Sequence, residues 1–132
     1  MSTTILIATD SDELFDRVDA AVGGTATVSR VSSGQAVRSA VAATEPDLVI
    51  LDLQIGNMGG MATCMDLRLE AGAGRLDDQR IVMLLDRPAD VFLARHAGAD
   101  GWVIKPVDPI RLRRATRAVL AGGRFEDAVA LA

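Results

Sequence analysis

The sequence predicts an α/β fold, a doubly wound parallel sheet of five strands with helices on both faces. Apolar runs and Ala-rich helical segments alternate five times along the chain. Three of the runs, Ile5-Leu6-Ile7-Ala8, Leu48-Val49-Ile50-Leu51 and Ile81-Val82-Met83-Leu84-Leu85, are continuous, as expected of strands covered on both faces. Regular βα alternation implies parallel strands joined by right-handed crossovers.

The first strand reads at 4–9. Asp10 or Ser11 caps the helix after it, 11–22, with Glu13 in the opening turn. The second strand, 26–31, alternates apolar and polar residues and so marks a half-exposed edge. A helix at 33–44 leads to the third strand, 48–52. The next helix, 59–71, carries Cys64 as a small core residue. Met58, Met61 and Met65 lie near it and suit irregular core gaps. The loop 71–79 enters the fourth strand, 80–85, from the opposite sheet edge, which argues against a direct chemical role. A helix at 88–97 and a fifth strand at 101–105 follow. Pro109, after Asp108, suits the first position of the last helix, 108–121, and Gly122-Gly123 ends it. Residues 1–121 read as one domain and 122–132 as a short extension. Its last part, 124–132, is too short for an independent helix and either docks or frays.

A chain of 132 residues buries roughly two-thirds of its unfolded surface, so it needs no disulfide or structural metal. One cysteine gives no disulfide framework. A net charge of −4 and few aromatics disfavour nucleic acid. No run reaches transmembrane length and no basic leader precedes the first strand, so the chain reads as cytosolic, without membrane insertion. Arg111, Arg113, Arg114 and Arg117 read as a solvated helix face, and His96 as a surface residue.

Of 14 Lys and Arg residues only Lys105 is lysine. It ends the run Trp102-Val103-Ile104 and precedes Pro106. A lysine is a compact point charge suited to one phosphoryl oxygen or one carboxylate. Asp10 and Asp52 also end apolar runs. In a doubly wound sheet, ligands sit outside the carboxyl ends of the strands. All three residues fall on that edge and predict an acidic pocket holding one cation. Two carboxylates there suit Mg²⁺. Asp52 is the better nucleophile toward a phosphoryl group, because it opens a flexible loop, 53–60, with room for a donor.

The segments ILIATDSDEL, PDLVILDLQIGNMGGM, RIVMLLD and GADGWVIKP together resemble the response-regulator receiver domain of two-component signalling. The resemblance covers nearly the whole chain. It implies a flavodoxin-like fold with strand order 2-1-3-4-5. It implies Asp52 as phosphoacceptor, charged from a histidine kinase or phosphotransfer protein, and Mg²⁺ on Asp10, Asp52 and the backbone carbonyl of Gln54. Lys105 would pair with the phosphoryl group, Pro106 would be cis, and Trp102 would stand at the switch aromatic.

The chain departs from the family at four places. Thr9 replaces the first of two adjacent acids, so Mg²⁺ binding is expected to be weakened; the Coulomb term lost is at most about 4 kcal/mol. Leu85 replaces the hydroxyl residue that bonds the phosphoryl group. That bond contributes about 1.5–3 kcal/mol. A switch from 1:99 to 99:1 takes about 5.5 kcal/mol, so a quarter to a half of it is forfeited. Leu85 also fills space into which the aromatic would turn, so Trp102 is expected to stay put. Asp86 replaces a small residue and reads as a loop residue, or else as a metal ligand in place of the missing acid. Gly56 replaces a common proline and loosens the loop after Asp52.

The leading expectation is a stand-alone receiver, not a turnover enzyme, that acts by binding an effector protein. A homodimer through the fourth helix, fifth strand and fifth helix is possible. Trp102 with Arg95 and the Arg-rich last helix offers a partner face, or else a buried strand tryptophan. A phosphorylation-independent pseudo-receiver is the alternative. A small phosphatase of the haloacid-dehalogenase type, reading Asp10-x-Asp12 as its motif, is the remote one.

Overall fold

The computed structural model describes residues 2–127. The chain runs β1 (Thr3–Ala8), α1 (Asp12–Val22), β2 (Ala26–Val31), α2 (Val37–Thr44), β3 (Leu48–Asp52) and α3 (Gly60–Gly72). It continues through β4 (Ile81–Leu85), α4 (Val91–Ala97), β5 (Gly101–Ile104), α5 (Pro109–Leu120) and β6 (Phe125–Glu126). Single 3₁₀ turns, Gly34–Ala36 and Pro88–Asp90, precede α2 and α4. The sheet order is β2-β1-β3-β4-β5-β6, with every pairing parallel.

The expected five-strand order is present, with one strand more. The sixth arises in the segment beyond Gly122-Gly123. Phe125 and Glu126 pair with Gly101 and Trp102. Asp127, buried, accepts the Ile104 N–H at 2.9 Å and the Arg111 guanidinium at 3.2 Å. Phe-Glu is too short to show strand periodicity, and the anchoring comes from these tertiary bonds. Residues 128–132 of the predicted extension lie outside the described residues.

Alternation along the strands sorts the core into two layers. Ile5, Ile7, Leu48, Ile50, Val82, Leu84 and Val103 face α1 and α5. Leu6, Val49, Leu51, Met83, Leu85 and Trp102 face α2, α3 and α4. β2 is half exposed, as its alternation predicts. The Ser11 hydroxyl caps α1 by accepting from Leu14 N–H at 3.1 Å, and Asp108 caps α5 ahead of Pro109. Cys64 is in the core, and Met61 packs against it. Met58 and Met65 are exposed instead of filling core gaps, because they fall on the outer side of the loop and helix that Cys64 and Leu67 turn inward.

Candidate functional site

The same alternation decides which side chains meet at the carboxyl edge. Asp52, last in β3, continues the parity of Leu48 and Ile50. Thr9, Asp86 and Lys105 each stand one residue past β1, β4 and β5, in the parity of Ile7, Leu84 and Val103. Four side chains distant in sequence therefore converge on the α1/α5 side of the edge.

Lys105 Nζ donates to Asp52 Oδ1 at 2.7 Å and to Asp86 Oδ1 at 2.8 Å. The Asp52 side chain is 3 % exposed, while Lys105 and Asp86 are 24 % and 26 % exposed. Asp52 Oδ1 also accepts the Gln54 backbone N–H at 3.0 Å. Asp52 Oδ2 accepts the Thr9 hydroxyl at 2.7 Å. Thr9 is fully buried, and its oxygen accepts the Ser11 N–H at 3.1 Å, which leaves its one proton directed at Asp52. Asp86 is thus a member of the ion cluster, although a loop role was the first expectation. Its other oxygen accepts the Gln54 side-chain amide, and its backbone N–H is held by buried Asp90 at 3.2 Å. The sequence signal was present: Asp86 ends an apolar run just as Asp10 and Asp52 do.

Burial pushes the Asp86 carboxyl up, but hydrogen bonds from Lys105 and Gln54 and the charges of Lys105 and Arg87 outweigh it, so it titrates below the ordinary range. Burial pulls Lys105 down, and its bonds to Asp52 and Asp86 more than reverse this. The ammonium is held charged.

Asp10 is exposed and accepts the Gly56 N–H at 3.1 Å. A proline at position 56 has no N–H to give. Gly56 O in turn accepts from Gly34 N–H, and Asn57 O from Gln35 N–H, both at 3.0 Å. The loop after Asp52 is therefore tied at three points, contrary to the expectation that glycine loosens it. Gly60 fixes its far end: a Cβ there would lie 2.6 Å from the Asp52 carbonyl oxygen.

Asp10, Asp52, Gln54, Lys105, Pro106 and Val107 line a cleft of about 360 Å³. A larger concavity of about 550 Å³ lies at the opposite edge, around Asp47, Arg75 and Arg80. Among the described residues no ion pair joins the charged side chains that line it, whereas Asp52 and Lys105 are paired in the smaller cleft. Among the described residues no three His, Cys, Asp or Glu side chains form a metal cluster. Two carboxylates, a backbone carbonyl and waters are enough for Mg²⁺, which keeps much of its hydration. Asp10 bonds through one oxygen only, so the donors fit that ion.

The family model of the response regulator receiver domain matches residues 5–117. The chain belongs to the response regulator receiver family. It is 32 % identical over 131 residues to the DNA-binding response regulator MtrA of Mycolicibacterium smegmatis, covering 97 % of this chain and 55 % of that protein. Against the receiver domain of a signal transduction histidine kinase from Syntrophus aciditrophicus it has 26 % identity and a TM-score of 0.80, over 99 % of both chains. Against the BeF₃-activated receiver domain of Klebsiella pneumoniae RstA the values are 28 % and 0.77, over 89 % of this chain and 98 % of that one. The chain spans about half the length of the curated relatives it matches. Receiver domains are signalling modules that bind Mg²⁺ at an acidic site and interact with histidine kinases or phosphotransfer proteins.

Within this receiver, the Lys105–Pro106 peptide is cis. Leu85 is fully buried in the same layer as Trp102, which is 1 % exposed. β6 flanks Trp102, and Arg95 lies over its ring at 5.4 Å while bonding Glu126 at 3.0 Å. Trp102 is therefore a core residue in this structure. Asp12, the second acid of the phosphatase-like pair, turns to Arg30 at 2.7 Å and away from the cleft. His96 is exposed and stacks edge-on against Phe92. No helix among the described residues is long and apolar enough to cross a membrane.

Proposed function

We propose that Asp52 accepts a phosphoryl group from a phosphohistidine of a histidine kinase or phosphotransfer protein. A carboxylate oxygen forms the new bond to phosphorus while the P–N bond breaks and its electron pair returns to the imidazole. Mg²⁺, held by Asp10, Asp52 and the Gln54 carbonyl, would supply positive charge against the phosphoryl oxygens. Lys105 offers the second cation, already directed at Asp52. Thr9 keeps one Asp52 oxygen hydrogen-bonded and so fixes the carboxylate's rotation. The observation that carries this reading is the 2.7 Å contact between Lys105 Nζ and a nearly buried Asp52, joined across 53 positions.

The test is intact mass after incubation with acetyl phosphate and Mg²⁺. One phosphoryl addition is expected on the native chain and none on Asp52→Asn. Equal labelling of both would end the assignment of Asp52. Phosphorylated at Asp52, the chain would signal through a protein partner, as a receiver in cytoplasm whose domain is residues 1–121. Exposed Phe92 and Leu93 on α4 and Ile110 on α5 flank the face for such an effector or a second copy. The second reading, a pseudo-receiver with a fixed binding surface, is favoured by Leu85 and the enclosed Trp102. Loss of an effector's affinity on Asp52→Asn would exclude it.

A further inference from the structure

Lys105 is shared. Its ammonium has three protons, and two of them are given to carboxylates, Asp52 and Asp86, at nearly equal distances. Asp86 is not a floating loop acid. The turn that carries it is fixed by Asp90, which is 4 % exposed and accepts both the Asp86 and Arg87 backbone N–H groups, at 3.2 and 2.9 Å. Both Asp86 oxygens face N–H donors, Lys105 and the Gln54 amide.

A phosphoryl group on Asp52 would bring further negative charge to the ammonium that Asp86 already holds. Resting on the phosphoacceptor reading of Asp52, we propose that Asp86 is a resident counter-anion that competes with the phosphoryl group for Lys105 and so limits how much acyl phosphate accumulates. The Gln54 amide extends this competition to the loop. Its backbone N–H serves Asp52 while its side chain serves Asp86, so one residue registers which anion Lys105 prefers.

The experiment uses the full chain, with acetyl phosphate as donor and Mg²⁺ present. Asp52 oxygen attacks phosphorus and acetate leaves with its electron pair, so no further reactant is needed. The steady-state ratio of phosphorylated to free protein is measured by intact mass for the native chain, Asp86→Asn, Asp86→Ala and Asp86→Glu. Asp86→Asn and Asp86→Ala are expected to raise the ratio about tenfold, the factor that about 1.4 kcal/mol produces. Asp86→Glu restores the native level. The chain's single lysine gives one side-chain signal after selective isotope labelling, and this should move in unphosphorylated Asp86→Asn, since a counter-anion has left. Equal ratios in the native chain and both neutral variants overturn the competition and leave Asp52 as acceptor. A lower ratio in both also overturns it, and makes Asp86 an assistant. Absence of any mass gain in all four proteins overturns the acceptor reading and this inference together.

Discussion

At the scale of single residues, charge at positions 86 and 105 makes the site's stability depend on pH at both ends. Asp86 titrates below its ordinary 3.8, so its contribution is complete above that value and is lost as pH falls through the lower folded value. Lys105 titrates above its ordinary 10.5, so its contribution is complete below that value and is lost as pH rises through the higher one. The difference in unfolding free energy between the native chain and Asp86→Asn is therefore expected to be flat from about pH 5 to 9 and to close as pH falls below 3.8. Denaturant titrations across that range measure it. A gap of constant size in strong acid would show that charge is not its source. Cys64 makes a contrasting case. Burial pushes its thiol up to about 11, and Sγ–H donates to the Ala97 carbonyl at 3.3 Å. It should resist thiol-directed reagents in the native protein and react fully once unfolded. Rapid native labelling would contradict the packing described.

Elements were legible in the sequence where periodicity was long. Five strands and five helices follow from continuous apolar runs and cap residues, with most ends displaced by at most one residue; α2 and α4 begin four and three residues later than expected, because a 3₁₀ turn opens each. β6 was not legible, because its two residues carry no pattern and its place depends on Asp127 finding Ile104 and Arg111. Asp127→Ala leaves the Ile104 N–H buried without a partner, and is expected to lose about 1–3 kcal/mol in chemical denaturation. The start of α3 is equally exacting. Gly60→Ala drives a methyl into the Asp52 carbonyl, so it should cost about 1–3 kcal/mol and lower labelling of Asp52 at the same time. Unchanged labelling with lost stability would separate the helix start from the acceptor.

For the whole molecule, the site's main axis was readable because Asp10, Asp52 and Lys105 each terminate an apolar run. What escaped was pairwise geometry. Thr9 read only as a missing acid, yet it is a directed hydroxyl. Asp86 read as a loop residue or a metal ligand, yet it holds the lysine. Packing decides the switch as well. Leu85 fills the layer beside Trp102, and β6 with Arg95 encloses the indole from the far side. Fluorescence of this single tryptophan is expected to remain unchanged on phosphorylation of the native chain. Leu85→Thr, which removes core volume and restores a hydroxyl, should lower stability by about 2–4 kcal/mol and make that emission respond. A native chain whose emission already responds would show that the indole is free to move.

An enclosed indole has one more consequence. With its aromatic enclosed, this receiver would announce its state mainly through the electric field at the rim of its cleft. A protein that distinguishes the two states would need basic groups within about 8 Å of that rim, the screening distance in physiological salt. Its preference for one state over the other should fade steadily as ionic strength rises.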